Sequence, residues 1–148
     1  MTNLNNQLTF IDLFAGCGGI SLGLEKAGFF PLYVNEINDD ALESYLMNRD
    51  EEYPHLRQKY RSSDIKEVVA EGEYFEWLKD EFENDFGRNF RKDHVDLVVG
   101  GPPCQGYSGI GLRRSYSVEK KQLPSNHLYQ DMAFFVHKVN PSMFLFEN

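Results

Sequence analysis

The sequence is short of the residues that build disulfide frameworks, zinc sites and membrane spans. Its 148 residues include only two cysteines, Cys17 and Cys104, and its four histidines lack the spacing of metal ligands, so we expect neither a structural disulfide nor a metal site. No apolar run approaches the length of a membrane span, and the N-terminus has no basic segment followed by an apolar block. We therefore expect a cytoplasmic protein without a membrane partner.

Positive charge is also scarce. The net charge is -8 at neutral pH, and acidic side chains concentrate in residues 67–85. A surface dominated by carboxylates cannot as a whole be a nucleic-acid footprint, although Arg113 and Arg114 could form a local basic strip. The length and the apolar fraction of 41% fit one globular domain.

Short apolar runs alternate with amphipathic stretches, which predicts β-α-β units around a parallel sheet. The predicted strands are residues 8–14, 30–36, 60–65, 94–101 and 142–148, and the predicted helices are 20–28, 41–46, 75–86 and 128–139. Asn38 is the expected N-cap of the second helix, and residues 107–126 are predicted to form a long loop.

The unusual residues of the chain all follow predicted strands. The first strand ends in the glycine-rich segment DLFAGCGG, and the others end at Glu36, Asp64, Cys104 and Glu147. Because ligands of open α/β sheets bind outside the carboxyl ends of the strands, these residues predict a functional site at that edge.

The first three strand ends indicate an adenosine-containing cofactor. The segment GCGGIS resembles a dinucleotide fingerprint, but Ser21 replaces its third glycine. Glu36, 20 residues after Gly16, could accept both hydrogen bonds of a ribose diol, and Asp64 could accept one from an adenine amino group. Each carboxylate alone could equally be a helix cap or a solvated charge.

The last two strand ends indicate covalent chemistry. In GGPPCQGYSG, two prolines restrict the backbone before Cys104, which favours a thiolate nucleophile held in one orientation over a small buried cysteine. Cys17, between turn glycines, is predicted to have a packing role. Glu147 follows the apolar run MFLF, so we expect it to end a buried strand and to act as a shielded proton donor, unless it caps a following helix.

Five segments resemble, in order, the motifs of DNA (cytosine-5) methyltransferases: FIDLFAGCGGISLGLEKAGF, NEIN, SDI, GGPPCQGYS and FLFEN. The resemblance runs from residue 10 to the last residue. It implies a Rossmann-like methyltransferase fold, in which a parallel sheet of order 3-2-1-4-5 carries helices on both faces, here ending after strand 5.

The resemblance implies S-adenosylmethionine as cofactor, S-adenosylhomocysteine as product, and no metal. Phe14 would pack on the adenine, Glu36 would bind the ribose hydroxyls, and Asp64 with Ile65 would contact the adenine edge and face. The complete set of cofactor residues implied in this way is Phe14, Gly16, Gly18, Gly19, Glu36, Ile37, Asp64, Ile65, Pro103 and Leu128.

The resemblance also implies the reaction. Cys104 would add to carbon 6 of a cytosine flipped out of double-stranded DNA, and Glu147 would bind ring nitrogen 3 and the amino group. The implied DNA contacts are Gln105, Ser108, Arg113 and Arg114. Such enzymes occur in bacterial restriction-modification systems, so a cognate restriction endonuclease is an expected partner.

The family's target-recognition region and its final helix have no counterpart in the sequence. We therefore expect residues 1–148 to be the N-terminal part of the cofactor-binding and catalytic domain, with little or no activity alone. An alternative is an S-adenosylmethionine-binding module that needs a complementing chain, and another is an RNA cytosine-5 methyltransferase. A nicotinamide dehydrogenase would explain neither Cys104 nor Glu147.

Overall fold

The computed structural model describes residues 4, 6–90, 92–103 and 127–147. All the predicted strands and helices are present in this part of the chain, and two further short helices, at Pro54–Gln58 and Ile65–Ala70, were not predicted. The strands are β1 (Thr9–Leu13), β2 (Phe30–Asn35), β3 (Arg61–Ser62), β4 (Leu97–Gly100) and β5 (Met143–Phe146). The helices are α1 (Gly19–Lys26), α2 (Asp39–Met47), α3 (Pro54–Gln58), α4 (Ile65–Ala70), α5 (Tyr74–Phe86) and α6 (Leu128–Val139).

The five strands form one parallel sheet in the order β3-β2-β1-β4-β5, which confirms the predicted topology. Their final residues are in register. The aligned pairs are Leu13 with Asn35, Leu13 with Gly100, Asn35 with Ser62, and Gly100 with Phe146. The chain therefore leaves all five strands at one edge of the sheet, which brings the predicted strand-end residues of the described segments to a common rim.

The two faces of the sheet bury separate apolar clusters. Ile11 and Leu13 of β1 belong to the larger cluster, which includes side chains of α5 and α6, whereas Phe10 packs with Leu97 and Val99 against α1. Successive strand residues point to opposite faces, so helices cover both sides of the sheet. The predicted apolar stripe of the acidic helix is confirmed, because four α5 side chains are buried in the larger cluster: Phe75, Leu78, Phe82 and Phe86.

The predicted N-cap of α2 is also confirmed. The side-chain oxygen of Asn38 accepts a hydrogen bond of 2.9 Å from the backbone N–H of Ala41. This bond satisfies one of the free amides at the start of the helix, and it fixes the direction in which the chain leaves β2.

The sequence predicts a buried fifth strand, and this prediction is wrong for the described residues. All four side chains of β5 are exposed, from 45% for Phe146 to 66% for Met143, and Glu147 after them is exposed as well. The reason is that strand side chains point to the two faces of the sheet, and no helix of the described ranges buries those of β5. An apolar groove of about 390 Å³ lies between β5 and α6.

None of the helices in the described ranges is long and apolar enough to cross a bilayer.

Candidate functional site

The segment after β1, residues 14–18, forms a tight turn that we call the glycine turn. Gly16 and Gly18 have φ angles of 56° and 89°, in the left-handed region that glycine adopts without a steric penalty. Phe14 shares this conformation, with φ of 57°, and for a bulky residue such strain is typical of functional sites. Cys17 is exposed, so the packing role predicted for it is wrong: the turn leaves the sheet and carries the thiol into solvent.

Glu36 holds the glycine turn from the side of β2. Its carboxylate is 9% exposed, and each oxygen accepts one backbone N–H at 2.8 Å, from Gly16 and from Asn38. An ionised carboxylate offers about four acceptor sites, so both oxygens keep capacity for a further donor. The side chain is thus oriented before any ligand binds.

The predicted residues near the end of β3 differ in how accessible they are to a ligand. Asp64 caps α4 by accepting a 2.9 Å hydrogen bond from the N–H of Lys66, so the capping alternative is observed, and its second oxygen has no role in the cap. Ile65 is 2% exposed and belongs to the larger core, which leaves almost none of its surface for a ligand. Ile37, beside Glu36, is 66% exposed and is therefore accessible.

At the end of β4, the chain passes directly beside Glu147. The backbone N–H of Glu147 donates to the carbonyl of Gly100, and a Cβ placed on Gly101 would lie 2.7 Å from Oε2 of Glu147. A side chain at position 101 would therefore require the Glu147 carboxyl to move from its present place. Pro102 is buried and Pro103 is exposed.

The remaining predicted residues fall into two groups. Gly19 begins α1 and is exposed, and Leu128 begins α6, half-buried against the larger core. Five others lie outside the described residues: Cys104, Gln105, Ser108, Arg113 and Arg114. Within the described ranges, no group of three or more His, Cys, Asp or Glu side chains could hold a metal ion.

Beneath the glycine turn lies a polar cluster that the sequence analysis missed. Asp12 is 1% exposed, and its Oδ2 accepts a 2.6 Å hydrogen bond from the Ser21 hydroxyl, which lies 2.8 Å from the hydroxyl of Tyr45. The signal for Asp12 was available, since it is a charged residue inside an apolar strand. Tyr45 gave no such signal, because it has the helical spacing of a core residue.

Burial raises the pKa of the Asp12 carboxyl from 3.8 to about 6, against the opposing influences of the Ser21 hydrogen bond and the Arg49 charge. Between about pH 4 and pH 6 the folded chain therefore keeps a proton that the unfolded chain has released. The contribution of Asp12 to the free energy of unfolding is therefore largest below its unfolded pKa of 3.8, and it is lost as the pH rises through the folded pKa of about 6. Ionisation of Asp12 thus opposes folding at neutral pH.

Replacing Asp12 by asparagine should remove this pH dependence, because the amide oxygen can still accept from Ser21 but does not titrate. We expect the free energy of unfolding of the unaltered chain, relative to Asp12→Asn, to fall by up to about 3 kcal/mol between pH 4 and pH 7. Urea unfolding at several pH values measures the difference. Contributions from other carboxylates, such as Asp85, whose pKa is lowered by its hydrogen bond from Lys59, cancel in the comparison. A constant difference would contradict the prediction.

Comparisons with known proteins agree on one family. Residues 8–148 match the family model described as C-5 cytosine-specific DNA methylase. The type II methyltransferase M1.HphI of Haemophilus parahaemolyticus is 33% identical over 96% of this chain and 32% of its own length. The type II methyltransferase M.AgeI of Thalassovita gelatinovora is 36% identical over 93% of this chain and 27% of its own length. The chain thus spans between about a quarter and a third of the length of these relatives.

A solved structure gives the same result for the fold. It is described as a putative DNA modification methyltransferase encoded within a prophage of E. coli. It superposes with a TM-score of 0.63 at 29% identity, covering 94% of this chain and 31% of that one. This chain, whose sheet has the order β3-β2-β1-β4-β5, therefore resembles that structure both in fold and in sequence.

Proposed function

The chain belongs to the C-5 cytosine-specific DNA methylase family, and we propose that it forms the cofactor-binding and catalytic part of an enzyme that methylates carbon 5 of cytosine in DNA. The observation that carries the proposal is the alignment of Phe14, Glu36, Gly101 and Glu147 at one edge of the sheet. A cofactor site and the approach to Cys104 then share one rim.

The residues at this edge suit S-adenosylmethionine. Glu36 presents a preoriented carboxylate with free acceptor capacity, which suits the two hydroxyls of a ribose. No heavy atom lies within 4 Å of a Cβ placed on Gly16 or Gly19, so space is open above the glycine turn. When bound, this cofactor would supply an electrophilic methyl group from its sulfonium.

Cys104 would activate the target cytosine. Carbon 5 of cytosine is a weak nucleophile, so the thiolate first forms a bond to carbon 6, and the displaced electron pair makes carbon 5 reactive towards the methyl group. Carbon 5 would then take the methyl group as its bond to the cofactor's sulfur breaks, which leaves S-adenosylhomocysteine. A base then removes the proton from carbon 5, and the returning electrons expel the thiolate. The thiol ends unchanged, as a catalyst must.

Glu147 would stabilise the charge that the addition creates. Its backbone is fixed to Gly100, and its carboxyl lies against Gly101, three residues before Cys104. From there it could hydrogen-bond ring nitrogen 3 and the amino group of cytosine while the thiolate attacks carbon 6. A stacked base cannot reach such a pocket, so the cytosine would be flipped from the duplex at a cost of roughly a few kcal/mol.

We further propose that the target-recognition region lies in a part of the protein beyond these 148 residues, and that the chain has little or no turnover by itself. The exposed apolar strand β5 and its groove against α6 support this view, because contiguous exposed apolar surface is typical of an interface. The further region would supply most of the DNA contacts, consistent with the net charge of -8 on the 148 residues. Since the relatives are type II methyltransferases, a cognate restriction endonuclease is the expected partner.

Calorimetric titration with S-adenosylmethionine tests the cofactor site. Replacing Glu36 by alanine should weaken binding at least tenfold, because the ribose hydroxyls lose their acceptor and the amide of Gly16 loses its partner. Cys104→Ala should bind S-adenosylmethionine with the affinity of the unaltered chain, since in the proposed reaction the thiol acts on the cytosine.

Glu43→Ala is a matched control. Glu43 is another glutamate of the same region, but its exposed carboxylate pairs with Arg57 on the surface. We expect its affinity to stay within twofold. Loss of binding in Cys104→Ala, but not in Glu36→Ala, would overturn the assignment.

A further inference from the structure

Arg49, which follows α2, connects three separate segments beneath the glycine turn. Its guanidinium donates to both carboxylate oxygens of Glu25 in α1, at 2.6 and 3.3 Å, and to the carbonyl oxygens of Tyr45 and Gly18, both at 3.1 Å. The residue is 5% exposed. A buried arginine with its charge paired and its donors directed at four acceptor oxygens is held in one conformation.

The backbone of the glycine turn rests directly on this support. A Cβ placed on Gly18 would lie 2.6 Å from Cδ2 of Tyr45 and 2.7 Å from a guanidinium nitrogen of Arg49. The Tyr45 ring also stacks on the guanidinium, at 3.9 Å. The inner side of the turn is therefore in contact with α2, whereas its outer side at Gly16 is open.

Two anchors thus hold the turn from different directions. Glu36 binds the N–H of Gly16 at one end, and Arg49 binds the carbonyl of Gly18 at the other. Ser21, in place of the third glycine of a dinucleotide fingerprint, adds the link from Asp12 to Tyr45. Because the Ser21 hydroxyl donates to Asp12, its oxygen is left to accept from Tyr45, which orients the Tyr45 side chain as well.

We propose that Arg49, held by Glu25 and Tyr45, is a positioning residue that fixes the glycine turn in its cofactor-binding conformation. This inference rests on the proposed function, in which the turn borders the cofactor. Arg49 is buried beneath the turn and would act without contacting the cofactor. It acts by removing conformational freedom from the turn before binding, so that less is lost when the cofactor binds.

The test is the double variant Arg49→Met with Glu25→Gln, which removes both charges of the ion pair together, so that neither partner is left as an unpaired ion. Methionine keeps much of the buried aliphatic volume. The matched control is Arg57→Met with Glu43→Gln, which removes an exposed pair at similar distances, 2.8 Å for each hydrogen bond.

Two readouts separate positioning from general destabilisation. NMR measures amide hydrogen exchange of Gly16, Gly18 and Leu22 relative to Ile11 in the sheet, and calorimetry measures affinity for S-adenosylmethionine. In the double variant, exchange in the turn should accelerate at least tenfold more than at Ile11, and affinity should fall at least tenfold. The control should change neither by more than twofold.

The outcomes distinguish the two proposals. If the unaltered chain binds no S-adenosylmethionine, the proposed function fails, and the exchange rates alone decide whether Arg49 fixes the turn. If the unaltered chain binds and the double variant binds equally well, the positioning role is overturned while the cofactor site stands. Exchange that accelerates equally in the turn and at Ile11 would also overturn it, because the effect would then be global.

Discussion

Replacing Gly18 by alanine should lower the free energy of unfolding by about 3 kcal/mol or more, a large part of the roughly 5–15 kcal/mol that stabilises a typical domain. Two penalties combine. A φ of 89° costs an L-residue about 1–2 kcal/mol, and the added methyl would overlap the Tyr45 ring and the Arg49 guanidinium at 2.6 to 2.9 Å. Both neighbours are buried and hydrogen-bonded, so neither can move without breaking the cluster, and overpacking of this kind costs about 1–3 kcal/mol.

Two other glycines provide controls for this experiment. Gly16 has a φ of 56°, but a Cβ there meets nothing within 4 Å, so Gly16→Ala should cost only the backbone strain of about 1–2 kcal/mol. Gly23 lies inside α1 with open space around it, so Gly23→Ala should stabilise the chain by about 0.5–1 kcal/mol. Urea unfolding of the three variants measures the order. Equal losses of unfolding free energy in Gly16→Ala and Gly18→Ala would contradict the prediction, because they would show that Tyr45 and Arg49 move to accommodate the methyl group.

Replacing Cys104 by serine should abolish covalent trapping on DNA that contains 5-fluorocytosine. In the proposed reaction the thiolate adds to carbon 6, and release requires loss of the proton on carbon 5. Fluorine in that position cannot leave as a proton, so the thioether persists after methyl transfer. A serine hydroxyl ionises far less readily than a thiol, so the adduct should not form and methylation should fall at least ~1,000-fold, or about 4 kcal/mol in the barrier.

The trapping experiment requires a protein that carries these residues together with a target-recognition region. Denaturing electrophoresis detects the adduct, and Cys17→Ser is the matched control, because Cys17 is exposed but lies in the glycine turn on the cofactor side. We expect Cys17→Ser to form the adduct normally. Trapping through Cys17, or trapping that survives in Cys104→Ser, would contradict the proposed nucleophile. Robust methylation by the 148 residues alone would contradict the proposed need for a further region.

Local patterns predicted most of the scaffold, although not the short helices α3 and α4. The alternation of apolar and amphipathic stretches identified the strands, and Asn38 was identified as a cap because its side chain acts on an amide three residues away. The meeting of strand ends at one edge followed from the geometry of parallel sheets. The position of Glu36 after the second strand identified it as a site residue. Its two backbone hydrogen bonds could not be predicted, since Gly16 approaches its carboxylate only after β1 and β2 have paired.

The sequence by itself determined the parallel α/β architecture, the glycine turn and the acidic residue after β2, because periodicity and backbone preference act over a few neighbouring residues. The tertiary structure decided the rest. Glu25 and Arg49 are 24 residues apart and meet only because α1 and α2 pack together, and β5 is exposed because no described helix covers its side chains. Such contacts depend on which elements become neighbours in space, and no local pattern encodes that.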